Sequence, residues 1–277
     1  NGMKLGDVAQ SMTIHDGTAY IVVNNSGIVF GIDPETFRIE RVIRGIGSPR
    51  YICFNDSVAY VTSLYEPRIA VVDVATAAVA DYIETPDHTS TEQMAIWGDT
   101  LYVSCWSYDD AVLMVDLTSG EVAGEIGVRS QPRQIALDGD GRLWVLTDGG
   151  YGEGSSPKPP ALYRIDVGSG SIEREFVFRM GDTPRGLAVG AGGDTVYFLN
   201  GDVWRMDTDA EELPREPFIP ASNTIYYALG VDPRRGDIYV GDAIDYQQQG
   251  VVYRFSADGR GLDTLRVGII PTDFCFR

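Results

Sequence analysis

Three arginines each follow a proline at the start of a short apolar run: Pro49-Arg50, Pro132-Arg133 and Pro184-Arg185. The planar guanidinium fork suits carboxylates, phosphates and amides, and it stacks on flat rings. When the internal copies of the sequence are aligned, these arginines share one position with Gln10, Glu92, Tyr227 and Thr272. Two residues further on stand Met12, Ile52, Met94, Ile135, Leu187, Leu229 and Phe274, all apolar. A polar ring on an apolar collar is the lining expected at the mouth of a ligand-binding channel. The same arginines would also serve as internal supports, capping carbonyls or pairing with Glu92 and loop aspartates, and the sequence leaves both roles open.

Further along each copy, loops supply aromatic and acidic side chains: Tyr65, Trp106, Tyr108, Asp109, Asp148, Tyr151, Asp245 and Tyr246. Aromatics at loop ends offer area to a large flat ligand or to a protein partner, or they pack between neighbouring elements. The longest insertion, 149–160, is rich in Gly, Ser and Pro, and insertions in uniform repeats tend to lie on a binding face.

Catalytic, metal and cofactor sites are not expected. Asp138-Gly139-Asp140-Gly141 starts like a calcium loop but lacks the distal glutamate, and reads as a hairpin turn. Asp33, Asp73, Asp116, Asp166 and Asp207 each close an apolar run before a turn, where Asp bonds its own backbone. His15 and His88 show no triad spacing. Cys53, Cys105 and Cys275 read as small buried apolar residues rather than a disulfide set. A metal-dependent hydrolase or lactonase would need several oxygen donors at the mouth. The ring offers only Glu92 beside three arginines, with Asn200 and Asp148 within reach from loops.

What must position these residues is a repeat. An aromatic sits second in Ala19-Tyr20-Ile21-Val22, Ala59-Tyr60-Val61-Thr62, Leu101-Tyr102-Val103-Ser104, Leu143-Trp144-Val145-Leu146, Val196-Tyr197-Phe198-Leu199 and Ile238-Tyr239-Val240-Gly241. The aromatics are spaced by 40, 42, 42, 53 and 42 residues. Within each copy the apolar runs are short and bounded by turn formers, with no sustained helical period. Four strands in such a copy make the blade of an all-β propeller forming a single domain. The copies run over about 9–46, 47–88, 89–129, 130–181, 182–222 and 223–270. Residues 271–277 begin Pro271-Thr272-Asp273-Phe274-Cys275-Phe276, matching Pro49-Arg50-Tyr51-Ile52-Cys53-Phe54. A lone seventh inner strand is therefore expected, with a seven-bladed propeller completed by strands upstream of residue 1.

The 277 residues carry 44% hydrophobic side chains, too many for a disordered chain, and 32 glycines for frequent turns. A formal charge of −18 repels phosphate backbones and argues against a nucleic-acid partner. No apolar run is long enough to span a membrane.

Several stretches resemble YncE-like propellers of Bacteroidota surface proteins, often described as surface layer proteins. They are Gly6–Met12, Gly47–Ile52, Thr91–Met94, Trp106–Asp109, Leu143–Tyr151, Glu216–Pro220, Gly241–Tyr246 and Gly268–Pro271. The resemblance covers essentially the whole chain. It implies a cell-surface or outer-membrane protein, lipid-anchored through an N-terminal segment upstream of residue 1, in the broader group that includes BtuG-like corrinoid binders. It also implies a non-catalytic role: capture of a small molecule, corrinoid-like or another nutrient, or docking on a TonB-dependent transporter through the top face. A protein-interaction scaffold is the alternative.

Overall fold

The computed structural model describes residues 1–150, 157–221 and 224–277. The described strands form six antiparallel meanders. The first contains β1 (Ala9–His15), β2 (Thr18–Val23), β3 (Ile28–Ile32) and β4 (Ile39–Arg44). The second contains β5 (Pro49–Asn55), β6 (Val58–Ser63), β7 (Arg68–Asp73) and β8 (Ala78–Glu84). The third contains β9 (Thr91–Trp97), β10 (Thr100–Cys105), β11 (Ala111–Asp116) and β12 (Glu121–Gly127). The fourth contains β13 (Pro132–Leu137), β14 (Arg142–Thr147), β15 (Ala161–Asp166) and β16 (Ile172–Val177). The fifth has three strands, β17 (Arg185–Val189), β18 (Thr195–Asn200) and β19 (Asp202–Asp207). The sixth contains β20 (Tyr226–Val231), β21 (Ile238–Asp242), β22 (Val251–Phe255) and β23 (Gly261–Arg266).

This is an all-β propeller fold with six blades. Contacts divide the chain into two compact units, Asn1–Arg133 with Arg277, and Gln134–Phe276. In the first unit β5 packs against β1 and β9, inner strand on inner strand; in the second, β17 packs against β20. Among the described residues no helix is long and apolar enough to cross a membrane.

The strand pattern follows from burial on two faces. Most second and third strands are buried on both faces and so read as short apolar runs. Tyr20, Tyr102 and Trp144, the second-place aromatics of three blades, are fully buried. The last strand of a blade has one solvated side or more, and β23 is exposed along its whole length. Turns are closed as the serial aspartates suggest. Asp33, Asp73, Asp116 and Asp166 each accept backbone N–H bonds from two or three residues ahead. Asp138 is a turn residue too: its carboxylate accepts the Asp140 and Arg142 N–H groups and the Trp144 Nε1–H. All three cysteines are free.

Six blades correct the expectation of seven. Residues 271–277 form no strand. The sequence match with Pro49–Phe54 reports packing rather than pairing. Phe276 lies on Tyr239 with ring centroids 5.2 Å apart, as Phe54 lies on Tyr20 at 4.7 Å. Phe274 packs so closely over Gly230 that a Cβ there would come within 2.7 Å of the phenylalanine Cβ. The segment thus seats its apolar side chains on blade six, but no described strand lies beside it to complete a ladder.

Candidate functional site

The polar position of the sequence repeat coincides with a bulge. In β1 the register against β2 slips between Ala9 and Ser11, which leaves Gln10 as the extra residue. In β5 it slips between Pro49 and Ile52, around Arg50. The β9–β10 pairing slips at Val103 and Cys105, opposite Glu92 and Gln93. The β20–β21 pairing slips between Tyr226 and Ala228, at Tyr227. A bulge bends the strand and re-aims a side chain, so in these four blades it presents a polar residue at the edge where inner strands begin. In two blades a hydroxyl on the adjacent strand fills the gap: Thr62 Oγ1 accepts the Tyr51 N–H and donates to the Glu92 carbonyl, and Ser104 Oγ accepts the Gln93 N–H.

In the first unit the bulge residues meet. Arg50 donates from Nε and Nη2 to the two carboxylate oxygens of Glu92, both at 2.6 Å, and from Nη1 to Gln10 Oε1 at 2.7 Å. Glu92 is 0% exposed and Arg50 is 7% exposed. Burial works against the arginine's charge, but Glu92, with the nearby phenols of Tyr51 and Tyr65, raises its pKa above the ordinary value. Glu92 is fully committed to this pair, so the acid that a metal at the mouth would need is engaged with a cation. Arg50 is to that extent an internal support. One face of its guanidinium still lies 5.5 Å from the Trp106 ring, and Arg133 sits 5.4 Å from the same ring. Trp106 thus has two guanidiniums over its ring, an arrangement that enriches its surroundings in positive charge.

The flanking loops present tyrosines. Tyr65 is 73% exposed and Tyr108 is 71% exposed. Both have left-handed backbones, at φ 78° and 64°, as does Tyr246 of the second unit at 63°. A bulky residue there is strained. At the β3–β4-type turns the same demand falls on Phe37, Ala77, Gly120 and Gly170, so glycine meets it in two blades; in these β2–β3-type loops three tyrosines carry it. In the second unit Arg185 lies 5.4 Å from the Tyr227 ring, which packs edge-on against Tyr246 at 5.8 Å. Asp245 accepts the N–H groups of Gln247 and Gln248, and Asp148 accepts that of Gly150; both carboxylates shape their turns. Tyr151 and residues 152–156 of the 149–160 insertion fall outside the described residues.

Two features have no counterpart in the sequence reading. The first is a cavity of about 590 Å³ in the second unit, lined by Phe178, Arg179, Phe198, Asn200, Trp204 and Arg215 among others. It lies where blade five lacks a fourth strand; β19 has only a bridge from Val203 to Ile219 beyond it. Pro214, Pro217 and Pro220 explain the gap, since proline cannot donate to a ladder, and that was its legible signal. Phe198 and Trp204 stack at 6.5 Å with 7° between planes, a flat apolar wall beside cationic side chains.

The second is a cluster of His88, Cys105 and Asp109, whose donor atoms all lie within 4.8 Å of one another. Burial holds the Cys105 thiol well above its usual pKa, and the charges of Asp109 and Glu125 add to this, so it is no free nucleophile. No sequence signal marks the cluster, because His88 reaches it from the connector between two blades. His15, by contrast, stacks on Phe54 at 4.2 Å and bonds the Asp56 carbonyl.

Residues 1–267 match the family model described as Domain of unknown function (DUF5074), and the chain belongs to that family. No curated protein matches the sequence. Among solved structures, the chain is similar to Kuenenia stuttgartiensis hydrazine synthase, with a TM-score of 0.80 at 17% identity over 99% of this chain and 92% of that one. It is also similar to a quinonprotein alcohol dehydrogenase-like protein (BT1487) of Bacteroides thetaiotaomicron, with a TM-score of 0.73 at 16% identity over 96% and 68% of the two chains. A third similar structure is virginiamycin B lyase of Staphylococcus aureus, with a TM-score of 0.75 at 15% identity over 97% and 88%. At these identities the likeness is one of fold.

Proposed function

We propose that this DUF5074 propeller is a non-catalytic binding protein of the cell surface that captures a ligand at the edge where its inner strands begin. The observation that carries the reading is Trp106, with the guanidiniums of both Arg50 and Arg133 over its ring, in a unit whose loops also present the exposed, backbone-strained Tyr65 and Tyr108. Rigid aromatics with guanidinium flanks suit a large, flat ligand bearing carboxylate, phosphate or amide groups. The cavity at Trp204 favours a small molecule over a protein partner. The cell-surface location, the corrinoid-like ligand class and a TonB-dependent transporter as recipient rest on the resemblance to surface propellers. Enzymes occur on similar folds, but the committed Glu92 argues against metal-assisted hydrolysis here.

The test is calorimetric titration with cyanocobalamin as the first probe. Trp106→Ala and Arg133→Ala are each expected to weaken binding more than tenfold, about 1.4 kcal/mol. Unchanged affinity in both would move the site off this edge, and affinity lost only in Trp204→Ala would place it in the cavity. An absence of binding to the wild-type protein would remove the corrinoid class.

A further inference from the structure

We propose that His88, Cys105 and Asp109 form a binding site for a zinc-class divalent ion, with Glu125 orienting the histidine. The three donors come from the β8–β9 connector, the end of β10 and the β10–β11 loop, and their ligand atoms lie within 4.8 Å of one another. A tetrahedral zinc site places thiolate, imidazole and carboxylate donors about 3.3–3.6 Å apart, so small side-chain adjustments would seat the ion. The donor set is also selective. Calcium and magnesium take oxygen ligands, whereas sulfur with nitrogen and one carboxylate suits zinc.

Each donor is fixed in place by its own local bonds, and the ion would take the place of the proton now shared between His88 Nδ1 and Asp109 Oδ2. The Asp109 carboxylate accepts the N–H groups of Asp110 and Ala111 on Oδ1, which leaves Oδ2 facing His88 Nδ1 at 2.8 Å. The His88 backbone exchanges hydrogen bonds with buried Thr85: the His88 N–H donates to the Thr85 carbonyl, and Thr85 Oγ1 donates to the His88 carbonyl. Cys105 is fixed at the end of a buried strand.

The histidine stands between two carboxylates, a setting that attracts a positive charge. Nδ1 faces Asp109 and Nε2 lies 3.3 Å from Glu125 Oε2, so a carboxylate oxygen stands at each nitrogen. A neutral imidazole has one N–H and satisfies only one of them. An ion held by Nδ1 and Oδ2 leaves the Nε2–H to donate to Glu125, the carboxylate–histidine–zinc arrangement that fixes tautomer and ring orientation. Gln131 donates its N–H to the Asp109 carbonyl, which further fixes the aspartate's backbone. On binding, the Cys105 thiol releases its proton to solvent and ligates as thiolate, and a water completes the coordination.

The experiment titrates the purified full chain with Co²⁺ as a spectroscopic probe, followed by displacement with Zn²⁺. One Co²⁺ per chain is expected, with a near-ultraviolet sulfur-to-cobalt charge-transfer band that zinc removes. Cys105→Ser abolishes the band, while Cys53→Ser and Cys275→Ser retain it. His88→Gln and Asp109→Asn weaken binding at least tenfold, and Glu125→Gln weakens it less. Should Cys105→Ser fail to fold, the His88 and Asp109 variants decide. The proposal is overturned if no charge-transfer band forms, if the band survives in folded Cys105→Ser, or if His88→Gln and Asp109→Asn bind as wild type.

Discussion

The Arg50–Glu92 pair gives the sharpest test of how the bulges are held. Both Glu92 oxygens accept from one guanidinium at 2.6 Å, and neither residue has solvent to fall back on. Arg50→Met leaves a buried carboxylate without its cation, a loss of about 3–5 kcal/mol. For a chain of this size that corresponds to a fall in melting temperature on the order of 10 °C. Glu92→Leu strands the guanidinium instead, but Gln10 and the Trp106 face remain to it, so its cost lies at the lower end of the same range. The double variant removes both charges and replaces them with apolar groups, and is expected within about 1 kcal/mol of wild type. Urea unfolding of all four proteins, followed by tryptophan fluorescence, yields the coupling energy directly. The reasoning is refuted if either single change costs under about 1 kcal/mol, as an exposed pair would, or if the two losses simply add.

Two further outcomes can be measured in the same way. Tyr65→Gly relieves a left-handed backbone at an exposed position and is expected to raise stability by about 1 kcal/mol while weakening ligand capture; a loss of stability would show that the tyrosine packs rather than presents. The turn aspartates predict acid sensitivity. Asp33, Asp73 and Asp116 are held below the usual carboxylate value first by backbone N–H groups, and Asp166 first by the Ser169 hydroxyl. Their folded forms bind protons less readily than the unfolded chain does, so their stabilisation is complete above 3.8, the unfolded-state value, and disappears as pH falls through the lower folded values. Thermal melts should therefore lose stability steeply below about pH 4, and Asp→Asn changes at the four turns should flatten that slope.

The blade pattern was legible in the residues because most middle strands are buried on both faces and four of the turns use their own carboxylate. Tyr20, Tyr102 and Trp144 recur at nearly fixed spacing because each fills the same space between sheets, and Asp33, Asp73, Asp116 and Asp166 recur because each closes the same turn. The polar repeat position was legible too, since a bulge needs a side chain that tolerates the edge. What one chain's pattern does not carry is partnership. Arg50, Arg133 and Arg185 look alike in sequence, yet Arg50 meets a buried Glu92 from the next blade while Arg185 lies over Tyr227 and donates to the Thr183 carbonyl of its own connector. Residues 271–276 copy an inner strand, but a strand exists only where a second one donates to it. His88, Cys105 and Asp109 converge because a connector passes over a neighbouring strand end, a contact with no periodicity to reveal it. Local burial and turn chemistry, which repeat every blade, were written in the sequence. Contacts made once, between segments far apart in the chain, were decided only when the blades packed.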